Sequence, residues 1–207
     1  SRFSDEAWEG AESIVKYIDS IAPGSGGRTG KRIVTEFREE VAEEIFEAVA
    51  KLEGRSPPIT NLAKLKERIA KAAKSLDDTG STQAKDNLRG ATFEAEGVAH
   101  QNFFNDIAEV SRDVPNPSRP GETLIELDAI LNNGKILEFK HWDWNLLSPD
   151  EAISRLNNQI PRLDRARRLE SLGNIEIWFK HGPVPSEVAS KLNEKVAQGL
   201  IQNWGVL

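Results

Sequence analysis

The chain has 207 residues, a formal net charge of −6, 38% hydrophobic and 29% charged residues, and neither cysteine nor methionine. That balance is globular rather than disordered, no apolar run approaches the roughly 20 residues that cross a bilayer, and no secretory signal opens the chain. Disulfides, thiolate catalysis and cysteine zinc sites are excluded, and the acidic balance argues against coating nucleic acid by charge alone, although an enzyme needs only a local basic face.

The first part reads as helices. Ser4 or Asp5 caps a helix with Trp8, Ala11, Val15 and Ile18 on its stripe. Residues 22–30 (APGSGGRTG) read as a flexible break. The segment from Gly24 to Lys31 superficially resembles a phosphate-binding loop. Ser25 stands at its first glycine position, Arg32 replaces the Ser/Thr, and no strand precedes it. A long amphipathic helix follows, with Ile33, Phe37, Val41, Ile45, Ala48 and Leu52 on one face. A third helix spans about 62–76, and residues 77–81 read as a linker.

The pattern then changes. A helix is expected over 88–107 and a strand over 108–114. Two further strands, 123–131 and 135–142, flank Asn132–Asn133–Gly134, a strong hairpin signal. Ser148, Pro149 and Glu151 open another helix, which Pro161 is expected to break or kink. A strand over 174–180 and a helix from 186 to about 202 close the chain. The expected organisation is an all-helical lobe over 1–86 and an α/β domain over 87–207.

The hairpin gathers the chemistry. Strand side chains alternate faces, so Glu126 and Asp128 share one face of their strand, and Glu138 and Lys140 share one face of the next. Closure at the Asn–Asn–Gly turn brings Asp128 and Glu138 towards each other. Two adjoining carboxylates repel unless a cation lies between them, and oxygen ligands of this kind suit Mg2+ or Mn2+. Such an ion activates a phosphodiester and a water. The Lys140 ammonium offsets charge that develops in the transition state.

Glu126-Leu127-Asp128, a hairpin, and Glu138-Phe139-Lys140 resemble the motif of the PD-(D/E)XK, or restriction-endonuclease-like, nuclease superfamily. The resemblance covers roughly 88–180, with Leu127 where the eponymous proline would stand. It implies a core of helix, three-stranded antiparallel meander, helix and fourth strand. It implies Asp128, Glu138 and the Phe139 backbone carbonyl as metal ligands, and Lys140 as the catalytic lysine. Glu94 fits the acidic residue that the family often draws from its first core helix, with Glu96 as second choice. Gln159 fits the recurrent polar residue of the following helix, and Glu126 is a supporting candidate.

The implied activity is a Mg2+-dependent endonuclease, with DNA the preferred substrate and RNA, as in a transfer-RNA-cleaving toxin, the alternative. A catalytically idle binding module is the third reading. Arg155, Arg162, Arg165 and Arg168, with Arg167, are either phosphate contacts or a solvated face paired with Asp164 and Glu170. Trp142 either stacks on bases or packs the core. His141 points to the other face of its strand and reads as a surface or core histidine rather than a catalytic one, and His100 and His181 have no spaced partner. The missing methionine reads as a processed chain or a domain cut from a longer one. The implied setting is a toxin or defence nuclease that acts in the cytoplasm, in the toxin case delivered from outside and blocked by an immunity protein.

Overall fold

The computed structural model describes residues 3–207 and divides into two compact units, 1–105 and 106–207. The fold class is α/β.

The first unit holds four helices among the described residues: α1 (Asp5–Ile21), α2 (Gly26–Glu53), α3 (Leu62–Thr79) and α4 (Thr82–Ala99). Ser4 caps α1, its hydroxyl accepting the Ala7 N–H at 3.1 Å. The buried stripe of α1 is Ala7, Ala11, Ile14 and Ile18, while Trp8 stands 52% exposed. Ala11 and Ile18 are thus buried as expected, while Ala7 and Ile14 take the places expected for Trp8 and Val15. Gly10 explains the tight contact behind it: a Cβ there would lie 1.8 Å from the Phe46 carbonyl oxygen, so only glycine lets the backbones of α1 and α2 meet.

Helix α2 begins at Gly26, inside the stretch expected as a flexible break. Asp19 explains the early start, because its Oδ1 accepts the Gly26 N–H at 2.7 Å and satisfies a helix-terminal donor. The helix is interrupted at Arg38, with φ 63° and ψ 158°. Beyond that break Ala42, Ile45, Phe46, Val49 and Leu52 face inward. The stretch expected as a linker over 77–81 is mostly the last turn of α3. Gly80, at φ 60°, and the Ser81 cap make the change of direction to α4. Helix α4, expected to open the second domain, packs on α2 and α3, and the compact units therefore divide near 105 rather than at 86.

The second unit is one five-stranded mixed sheet with two helices. Its elements are β1 (Ile107–Pro115), β2 (Thr123–Leu131), β3 (Ile136–Lys140), α5 (Pro149–Leu169), β4 (Ile175–Phe179), α6 (Ser186–Ala197) and β5 (Asn203–Val206). Strand order follows chain order; β1–β2–β3 is an antiparallel meander, and β4 and β5 add in parallel. Parallel neighbours need a crossover, which α5 and α6 supply. Ala152, Leu156, Ile160, Leu163 and Ala166 of α5 join Ile136, Ile177, Phe179, Val188 and Leu192 in one buried core.

Two expectations for this unit are corrected. Pro161 does not end α5, which runs unbroken to Leu169. The acceptor that proline leaves without a helical donor belongs to Asn157, which is solvent-exposed, so water can serve it. The last helix stops at Ala197 instead of running to 202. Gly199, at φ 70°, lets the Leu200 N–H return to the Lys195 carbonyl at 3.0 Å and the Gly199 N–H to that of Val196 at 2.9 Å. The freed segment becomes β5.

Candidate active site

Tight pairing between β2 and β3 covers only Ala129↔Leu137 and Ile130↔Ile136, next to the Asn–Asn–Gly turn, where Gly134 sits at φ 80°. One step further the ladder opens, at Asp128 and Glu138. Backbone groups exposed by such an opening need other partners, and the two acidic side chains supply them. Asp128 Oδ2 accepts the Phe139 N–H at 2.7 Å, and Glu138 Oε1 accepts the Asp128 N–H at 3.4 Å. Each carboxylate thus reaches across to the other strand's backbone, which pins the pair at the fork.

Lys140 closes the group from above. Its Nζ lies 2.9 Å from Glu138 Oε2 and 3.7 Å from Asp128 Oδ2. Gln159, at mid-helix on α5, donates Nε2 to the same Glu138 oxygen at 2.9 Å. Glu138 is fully buried. Burial, and then the Asp128 charge, push its carboxyl up to about 7, against the opposing pull of Lys140.

Within a strand, N–H and C=O of one residue point to the same edge. Lys140 C=O accepts from Lys180 on the β4 side, so Phe139 presents its carbonyl, like its N–H, to the fork. Two carboxylates therefore meet on the edge to which that carbonyl points, oxygen donors of the kind that a hard divalent cation takes. Among the described residues no group of three or more His, Asp or Glu side chains gathers at metal-binding spacing.

The other expected residues fall as follows. Glu126 is half-buried on β2 and faces Asp113 of β1. Glu94 and Glu96 lie on α4, in the first unit, where Arg68 of α3 holds the buried Glu94 carboxylate at 2.6 Å. Arg155 pairs with Glu151 at 2.6 Å, and Arg165 donates to Ser118 Oγ at 2.9 Å. Arg162 donates through Nε to the Leu124 carbonyl at 3.1 Å, and Arg167 and Arg168 clasp Asp164. Burial raises the Asp164 carboxyl, but the two guanidinium groups more than offset that and leave it below its ordinary range. Positions 155, 159 and 162 fall on one stripe of α5, so Arg155 and Arg162 flank Gln159.

Trp142 packs against the core, its ring 5.7 Å from Trp144 and 5.5 Å from Phe179. His181 does have a ring neighbour: its ring lies 4.8 Å from that of His141, edge to face. Parallel pairing of β3 with β4, at Lys140↔Phe179, makes that contact, and no short sequence spacing announces it.

Comparison with family models, with curated proteins and with solved structures found no match to this chain. No helix among the described residues is long and apolar enough to cross a membrane.

Proposed function

We propose that this chain is a metal-dependent phosphodiester hydrolase with a restriction-endonuclease-like core, acting on nucleic acid, with DNA preferred over RNA. The observation that carries the reading is the fork of β2 and β3, where Asp128, Glu138, the Phe139 backbone and Lys140 meet. The element order of the second unit, with its meander, helix and parallel fourth strand, agrees with it.

Asp128, Glu138 and the Phe139 carbonyl would hold Mg2+ or Mn2+, which, when bound, supplies Lewis acidity towards the phosphodiester and the attacking water. Lys140 orients that water and offsets negative charge at phosphorus. Gln159 fixes the Glu138 carboxylate, as an outer partner fixes a ligand. Arg155, on the same α5 stripe, is placed to meet a neighbouring phosphate. The biological setting that fits is a toxin or defence effector blocked by an inhibitor protein.

A binding module is the second reading. It is favoured by one observation: Lys140 already supplies a cation to both carboxylates. The deciding experiment incubates the chain with plasmid, linear DNA and transfer RNA, in Mg2+, in Mn2+ and in chelator, beside D128A and K140A. Cleavage that needs metal and both side chains is expected. Binding without any cleavage, unchanged in D128A, would leave the second reading.

A further inference from the structure

The segment that joins β3 to α5 leaves Lys140, runs through residues 141–147 and ends at the Ser148 cap. Its backbone is fixed from several sides. Asp143 Oδ1 accepts the Asn145 N–H at 2.9 Å, and the Asp143 carbonyl accepts the N–H groups of Leu146 at 3.0 Å and Leu147 at 2.9 Å. Trp144 donates Nε1 to the His181 carbonyl at 2.7 Å and sets its ring 5.5 Å from that of Phe179. Leu147 is buried in the core. On that frame Leu146 stands 78% exposed, more than any other large apolar side chain among the described residues.

Exposed apolar residues scattered over a surface are ordinary. Leu146 differs in how firmly it is held and in where it stands. Its own N–H is tied to Asp143, and its neighbour Leu147 already fills the inward place, so the side chain has no buried alternative. Helix α5 crosses over between the parallel strands β3 and β4, so it runs antiparallel to β3. Gln159 abuts Glu138, and the ten residues back to Pro149 extend about 15 Å past Lys140 and Arg155. That distance equals roughly four base steps of 3.4 Å. The β1–β2 loop, with the exposed Arg119, lies at the same end of the sheet because β2 and β3 are antiparallel. The fork therefore opens between a loop that carries a cation and a loop that carries a rigid apolar tip.

We infer that the substrate is duplex DNA and that Leu146 is the wedge that opens it, entering between adjacent base pairs a few steps from the bond that is cut. An apolar side chain placed in a base step replaces part of the lost stacking, leaves water as it does so, and kinks the duplex. A wedge must be apolar, exposed and unable to fold back, and Leu146 meets all three conditions. The kink bends the flanking phosphates towards the fork. The inference rests on the proposed function and names the form of its substrate.

The test measures cleavage in Mg2+ by the full chain, L146A and L146F on two labelled probes, a fully paired DNA duplex and the same duplex with a short unpaired bubble. L146A is expected to cut the paired duplex about tenfold more slowly. It should cut the bubble at the wild-type rate, because those bases are already unstacked, and L146F should match the wild type on both. A structural role alone slows both probes equally. Equal slowing, wild-type rates on both, or a wild type that cuts only the bubble overturns the inference and leaves the proposed function standing. A wild type that cuts neither probe overturns the proposed function. Fluorescence anisotropy of the same probes then decides the wedge: L146A should bind the paired duplex alone about tenfold more weakly, and unchanged or absent binding overturns it.

Discussion

Glu138→Gln offers the sharpest test of the electrostatics at the fork. In the folded chain the Glu138 carboxyl is displaced from 4.5 to about 7. Each factor of ten in ionisation corresponds to about 1.4 kcal/mol, so ionising Glu138 inside the fold costs roughly 3 kcal/mol. Below pH 4.5 the group is protonated in folded and unfolded chains alike, and the cost is absent. Between 4.5 and about 7 the folded chain binds more proton than the unfolded one, so stability falls as pH rises. Above 7 the full cost remains. Glutamine does not titrate. It also accepts fewer of the bonds now made by Asp128 N–H, Lys140 and Gln159, which lowers its stability by a pH-independent amount. Urea unfolding of both proteins in chelator, from pH 4.5 to 8.5, separates the two effects. The stability difference, variant minus wild type, should rise by roughly 3 kcal/mol over that range, most steeply between 5 and 7. Parallel curves would falsify the account of a carboxylate whose burial outweighs its donors. Under the proposed function, Mg2+ at pH 8 should then stabilise the wild type and leave E138Q unchanged.

Gln159→Ala removes the donor that holds Glu138 Oε2; Mn2+ affinity should fall about tenfold, read by calorimetry, with helix content by circular dichroism unchanged. Arg155 and Arg162 should part company. R155A breaks an exposed pair with Glu151 and should change stability by less than about 0.5 kcal/mol, while lowering the salt dependence of nucleic-acid binding by about one unit of log–log slope. R162A strips the donor from the Leu124 carbonyl and should cost about 1 kcal/mol in urea unfolding. G199A places a Cβ at φ 70° and should cost about 1 kcal/mol, with enhanced exchange of the β5 amides measured by mass spectrometry.

What was legible in the sequence was short-range. The Asn132–Gly134 turn, the bounds of β2 and the Ser148 cap each depend on neighbours within a few residues, and the structure has all three. The meeting of Asp128, Glu138 and Lys140 follows from one tight turn plus strand alternation. Gln159 was reachable only through the family resemblance, because its contact with Glu138 spans 21 residues of chain. What escaped needed partners far along the chain. The His141–His181 contact and β5 exist because β4 lies in parallel between β3 and β5. The early start of α2 depends on Asp19, seven residues away. Trp8 was placed on the buried stripe of α1 by its helical spacing, yet it stands exposed because the packing that decides the buried face comes from other elements. Pro161 defeated a local rule because Asn157 faces solvent.

The bond from Phe139 N–H to the Asp128 side chain, where a backbone carbonyl would ordinarily serve, has a practical consequence. That amide proton is tied to a carboxylate that a cation would claim, so its exchange rate and chemical shift report occupancy of the notch. A single 15N resonance at position 139 would follow titration with Mg2+, without substrate, label or turnover.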